Sequence, residues 1–152
     1  MLSGWNHFLC NWDGTTMELF INGSSVGTTA FAGPISYSTG NFLIGDRNTS
    51  PSKPYLGLID EVAIWNSDQS ANVSTIYNGG TPTTISGATA YWKLGEQATF
   101  STNWTVPDQV GSNDGTSANM TVEDRVGSAP SSSNNAVSFN MEAGDIVNDV
   151  PS

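Results

Sequence analysis

The chain has 152 residues, 37% hydrophobic and only 12% charged, which is the scale of one domain with one sizeable core. Fourteen acidic against four basic residues leave a net charge of −10, which sets aside nucleic acid as a partner gripped through counterion release. Its polarity comes from Ser, Thr, Asn and Gly rather than from ions, the usual balance of extracellular or virion all-β proteins.

No stretch is long and apolar enough for membrane insertion, and Met1-Leu2-Ser3-Gly4 does not read as a signal peptide. Cys10 is the single cysteine, so neither an intrachain disulfide nor a thiolate metal cluster is possible. Its place in the run Phe8-Leu9-Cys10 predicts a small buried hydrophobe. Sequons at Asn22, Asn48, Asn72, Asn103 and Asn119 are what so much Asn, Ser and Thr produces by chance.

In chain order, Trp5 to Trp12 reads as a strand closed by the turn pair Asp13-Gly14. Met17 to Ile21 reads as its hairpin partner, and Asn22-Gly23 makes a second turn into a short return strand at Val26-Gly27. Residues 28–41 predict loop around at most one short strand. Phe42 to Gly45 is another strand, and Asp46 to Pro54 a polar, proline-broken loop. Leu56 to Trp65 is the longest β-prone run, apolar on both faces apart from Asp60 and Glu61, and predicts a central strand. Val73, Ile76 and Tyr77 then sit at helical spacing between the capping residues 67–70 and Gly79-Gly80, which predicts one short helix. Residues 81–89 read as a linker, Ala90 to Leu94 as a strand, and the remainder as turns with a clear strand only at Ala136 to Phe139.

The succession Trp5-Asn6-His7-Phe8, Asp13 to Gly23, Phe42-Leu43-Ile44-Gly45 and Gly57 to Trp65, followed by a helix ending in Tyr77, closely resembles the second half of a laminin-G-like (concanavalin-A-like lectin/glucanase) domain. The resemblance implies an all-β jelly-roll sandwich of antiparallel strands with one short helix. Ala90-Tyr91-Trp92-Lys93-Leu94-Gly95, then Pro107-Asp108 and Gly111 to Thr116, resembles the opening of such a domain. The chain therefore divides into residues 1–80, the back half of a sandwich, a linker at 81–89, and 90–152, the opening strands of a further unit with an acidic tail. A circularly permuted sandwich, a piece of a longer tandem protein and completion by a neighbouring chain would each explain that order, and the second, within an assembly, is the preferred expectation.

Within the tail, Asn119-Met120, Asp124, Val126 and Pro130-Ser131 recur as Asn140-Met141, Asp145, Val147 and Pro151-Ser152, a period of 21 residues. Such tails beside laminin-G-like segments resemble those of structural proteins of marine tailed bacteriophages. The resemblance implies a virion surface or extracellular location, with copies of itself or other virion proteins as partners.

Candidate sites follow from residue chemistry and from the resemblance. Asp60 and Glu61, as strand neighbours, are expected on opposite faces, where they cannot share an ion or act as a glycosidase pair. Glycoside hydrolases of this family space their acid and nucleophile as Glu-x-Asp-x-x-Glu, from which Ile59-Asp60-Glu61-Val62 departs. The two are therefore expected to be structural, and the protein not an enzyme. The resemblance implies calcium at the sandwich rim, for which Asp13, Asp46 and Asn48 are candidates, with a weaker set at Asp108, Asn113 and Asp114. No other cofactor is implied. His7 is expected to pack and hydrogen-bond near the core. Trp12, Tyr37, Tyr55 and Trp104 offer faces for sugar rings, and the loop positions of Tyr37 and Tyr55 make them the preferred glycan contacts, whereas Trp5, Trp65 and Trp92 are expected in the core. Glycan adhesion through many weak copies is one functional expectation. A purely structural assembly module and a carbohydrate-binding module of a secreted bacterial protein are the alternatives.

Overall fold

The computed structural model describes residues 4–36, 40–46, 54–83, 85–127, 129–130 and 137–141, together with the backbone of 145–148. The first three strands, β1 (Phe8–Trp12), β2 (Thr16–Ile21) and β3 (Ser24–Ala30), form an antiparallel meander. Asp13 closes the first turn: its Oδ1 accepts the Thr15 and Thr16 N–H groups and the Thr15 hydroxyl, each at 2.8 Å. The second turn places Asn22 at φ 50° and Gly23 at φ 76°. Two successive positive φ angles are what a tight hairpin needs, and Asn-Gly is the pair that tolerates them most readily.

Side-chain alternation gives this sheet two different faces. Leu9 and Phe20, partners across the β1–β2 ladder, turn inward and pack on Val73 and Ile76. These two residues belong to α1 (Val73–Tyr77), which follows one 3-10 turn at Ser70–Asn72 and stops where Asn78 adopts the left-handed conformation. Asn11 ties helix to sheet by donating to Asp68 Oδ1 at 2.7 Å and accepting the Gln69 N–H at 2.8 Å.

The remaining strands are short: β4 (Phe42–Ile44), β5 (Leu58–Ile59), β6 (Val62–Ile64), β7 (Ala90–Trp92), β8 (Thr99–Phe100), β9 (Trp104–Val106), β10 (Gly115–Ala118), β11 (Arg125–Val126), β12 (Ser138–Asn140) and β13 (Asp145–Asn148). They form antiparallel sheets in the orders β4-β13-β10-β9-β8, β11-β12-β5 and β6-β7. The fold is all-β, consistent with the concanavalin-A-like sandwich, and α1 is its short helix.

Every strand between residues 42 and 64 takes its partner from residues 90–148: Leu43 faces Val147, Ile59 faces Phe139, and Ala63 faces Tyr91. The main core is shared in the same way. Ile44 packs with Trp92, Leu94, Trp104, Phe139 and Met141, and Trp92, Phe139 and Met141 are fully buried. Phe42 stacks on Trp92 at 5.8 Å between ring centres, and Trp104 meets Phe139 edge-on at 5.1 Å. Both buried indoles find acceptors, Trp92 Nε1 on the Asn113 carbonyl at 2.8 Å and Trp104 Nε1 on that of Thr121 at 2.7 Å.

Several expectations are corrected. The run 56–65 is not one central strand but two, β5 and β6, lying in different sheets. Residues 24–30 form a full seven-residue strand where a short one was expected. The second half holds several strands of two to four residues, too short and too rich in Ser and Thr to leave an alternation in the sequence. Trp104 is a core residue rather than a sugar platform, while Trp5 and Trp65 are only half-buried. Cys10 is exposed, because it shares parity with Phe8 on the outward face of β1. The repeat has a packing meaning at its methionines: Met120 and Met141 both plug the main core.

Phe139→Ala is expected to cost about 3–5 kcal/mol, the usual range for emptying a buried aromatic site. Denaturant unfolding followed by tryptophan fluorescence should show a single transition moved to lower denaturant. Two transitions, one of them unmoved, would mean that the segments before and after residue 81 do not share a core.

Candidate functional site

Between β5 and β6 the chain does something a strand does not. Glu61 takes φ 55°, a left-handed conformation costing a non-glycine residue roughly 1–2 kcal/mol. The strand alternation is interrupted there, and the carboxylates of Asp60 and Glu61 swing to the same side. Glu96 joins them from the turn after β7, and one oxygen of each of the three lies within 4.8 Å of the others. Adjacent carboxylates expected on opposite faces therefore converge. Among the described residues this is the one group of three metal-capable side chains.

The turn that brings Glu96 in is tightly determined. Leu94 is buried with φ 59°, and Gly95 lies so close to the Val137 carbonyl that a Cβ there would stand 2.0 Å from its oxygen. Tyr91, on β7 opposite Ala63, donates its hydroxyl to Glu61 Oε2. Both oxygens of Asp60 and Oε2 of Glu96 are buried without a hydrogen-bond partner.

Burial pushes the Asp60 carboxyl up to about 8, and the charges of Glu96 and Glu61 add to the effect against the weaker pull of Lys93. Glu61 is raised as well, first by burial and then by Glu96, with the Tyr91 hydroxyl and Lys93 opposing. The Tyr91 hydroxyl is in turn held protonated by burial and by its bond to Glu61. Such a site has two ways to relieve its repulsion: Asp60 keeps a proton, or the orphaned oxygens of Asp60 and Glu96 hold a hard cation, for which a set of carboxylate oxygens is the appropriate donor chemistry.

The residues expected to bind ligands are placed as follows. Asp13 is engaged in its own turn, and its three donated hydrogen bonds hold its carboxyl below the ordinary range. Asp46 is half-buried just after β4, which belongs to a different sheet from the β1 and β2 that Asp13 joins. Asn48 and Tyr37 lie outside the described residues. Tyr55 is half-exposed; its N–H reaches the Gly45 carbonyl at 2.6 Å. Its ring lies over Gly57, where a Cβ would come within 2.9 Å of Tyr55 Cε1.

Asp108 is a structural hub. Oδ1 accepts the N–H groups of Tyr91 and Val110 at 3.0 Å, and Oδ2 those of Asn113 at 3.2 Å, while Asp114 Oδ1 caps the Asp108 N–H at 2.9 Å. Burial works to raise its pKa, but the backbone donors of Tyr91, Val110, Gly111 and Asn113 outweigh it and hold the carboxyl low. His7 packs against Tyr77 at 5.7 Å, as expected, but its Nδ1 is buried without a partner and burial lowers its pKa.

Residues 1–73 match the family model Laminin_G_3, described as the concanavalin A-like lectin/glucanases superfamily. The match spans just under half of the chain and supports a laminin-G-like domain over those residues. It reaches from the β1–β3 meander to the first residue of α1, and includes Asp60 and Glu61 but neither Tyr91 nor Glu96. Compared with curated proteins and with solved structures, the chain finds no match.

The acidic cluster makes stability depend on pH. Asp60 holds its proton to about pH 8 when folded, against 3.8 ordinarily, so the folded chain binds a proton that the unfolded chain releases. That contribution is full below about pH 4 and is lost as pH rises through the folded value. In chelator-containing buffer the melting temperature should fall between about pH 5 and pH 8 and then level. Asp60→Asn should flatten the profile and melt above the parent at the alkaline end. A parent profile rising across that interval would contradict the assignment.

Proposed function

We propose that the protein is a non-catalytic, lectin-like module that works on a virion surface or outside the cell by contacting glycans. The concanavalin-A-like match over residues 1–73 supports the lectin-like part of this reading. The observation that carries the contact is Tyr55, which is 52% exposed, with Leu56 beside it at 72%. Its backbone is pinned to Gly45 and its ring is seated over Gly57, so the face it offers is already ordered. An ordered aromatic face suits the C–H side of a pyranose, because little side-chain freedom is lost on contact.

The non-catalytic part rests on burial. Among the described residues the one group of three convergent carboxylates, Asp60, Glu61 and Glu96, has its orphaned oxygens buried, and Asp108 is saturated by backbone donors. The location rests on composition: low charge, a single cysteine, and abundant Ser, Thr and Asn. Cross-pairing of residues 42–64 with 90–148 supports a sandwich whose back half precedes its front half in the chain. A single such contact is weak, and adhesion would draw its strength from many copies.

A purely structural role is the second reading, favoured by the apolar outward face of the β1–β3 sheet. Glycan-array binding separates the two. Tyr55→Ala should weaken retention of the wild-type ligand about tenfold, the loss of one stacked aromatic contact, with an unchanged melting temperature. Failure of the wild-type chain to bind any glycan, or full binding by Tyr55→Ala, would contradict the adhesive reading.

A further inference from the structure

Asp60 and Glu61 stand in the turn between β5 and β6, and Glu96 follows β7, so the acidic joint is assembled from both segments whose strands pair across the molecule. Carboxylates gathered this closely repel one another, and burial strengthens the repulsion. The unusual feature is what the oxygens lack. Asp60 Oδ1, Asp60 Oδ2 and Glu96 Oε2 are all buried, and none accepts a hydrogen bond. A buried acceptor without a donor is costly, and a charged one more so.

We propose that Asp60, Glu61 and Glu96 form a calcium site that ties the β5–β6 turn to the turn after β7. A proton is the competing occupant. Shared between two carboxylates, one proton satisfies at most two oxygens, so at least one of the three orphans stays bare. A calcium ion takes about six to eight oxygen ligands and accepts a carboxylate through one oxygen or both, so it meets all three. It also leaves one net negative charge on three ionised carboxylates, which the charge of Lys93 opposes at Asp60 and Glu61. The spacing agrees. Oxygens bound to one calcium at about 2.3–2.6 Å stand no more than roughly 4.6–5.2 Å apart, and the three carboxylates meet that condition within 4.8 Å. Magnesium demands a near-octahedral shell at about 2.0–2.1 Å and keeps several of its waters, a poor match for buried oxygens.

The surroundings hold the ligands in place. The Tyr91 hydroxyl donates to Glu61 Oε2 and orients that carboxylate, the usual part of an outer hydrogen bond at a metal site. Gly95 has no room for a side chain beside the Val137 carbonyl, which fixes the turn that delivers Glu96. Asp13, by contrast, has Oδ1 committed to three donors in its own turn. Because the ligands come from two segments that meet only in the folded chain, binding free energy at this site is folding free energy.

Calorimetric titration of the full chain with calcium chloride, after chelator treatment and dialysis, tests this at about pH 7.5. The wild type should bind one calcium per chain with a Kd below about 1 mM, and calcium at about 5 mM should raise its melting temperature. Asp60→Asn and, separately, Glu96→Gln keep the side-chain size and remove one ligand charge. Each should fold, as judged by circular dichroism, and bind calcium at least about tenfold more weakly. Glu123→Gln, at an exposed position outside the joint, should bind as the wild type does. A wild type that gives neither heat nor a melting shift at about 5 mM calcium overturns the proposal. So does unchanged calcium affinity in both joint variants, or magnesium bound as tightly as calcium.

Discussion

Backbone hydrogen bonding across long stretches of sequence is the constraint on which the molecule depends. β4, β5 and β6 are two or three residues long, and each would leave its N–H and C=O groups unpaired without a strand from residues 90–148. Strands this short have little stability of their own. Joining β4 to β13 closes a loop of about a hundred residues, an entropic cost that grows only slowly with length but must be met before any contact forms. Burial of Trp92, Phe139 and Met141 offsets it, because these side chains sit where the short strands meet. The meander of β1–β3 is different: its pairing is local and its small hydrophobic layer is completed by α1.

The acidic joint is a consequence of the same architecture. β5 and β6 belong to different sheets, so the chain must turn between them, and the turn falls on Asp60 and Glu61. Pairing β6 with β7 then delivers Tyr91 to Glu61, and the turn after β7 delivers Glu96. Asp108 marks the contrast. Ringed by backbone donors, it stays ionised, whereas Asp60, ringed by carboxylates and apolar atoms, is driven toward its neutral form.

Features set by neighbouring residues were legible in the sequence. Asp13-Gly14 and Asn22-Gly23 make their turns, and Val73 to Tyr77 makes its helix, because each is determined within a few positions. The all-β class was legible from the same kind of pattern. What depended on distant partners was not. Trp104 stood among the aromatics that could face a sugar ring because its core neighbour Phe139 lies 35 residues away. The cluster of Asp60, Glu61 and Glu96 had one signal that could have exposed it. Two adjacent carboxylates inside an apolar run cannot both find partners on the buried faces of a straight strand, so the run had to break there. Tyr91 and Glu96 gave no such signal, since their role follows from the β6–β7 register alone.

Adhesion and assembly use different parts of this frame. Tyr55 stands at the end of the loop between β4 and β5, while the open apolar face belongs to the locally paired β1–β3 sheet. The placement of Tyr55 depends on one claim, that residues 42–64 and 90–148 fold together. Hydrogen exchange followed peptide by peptide is the most direct test. The account predicts that amides of β4 and β6 are as strongly protected as those of β7, β9 and β10, all opening with one free energy. Rapid exchange across residues 42–64 beside a protected 90–118 would contradict it.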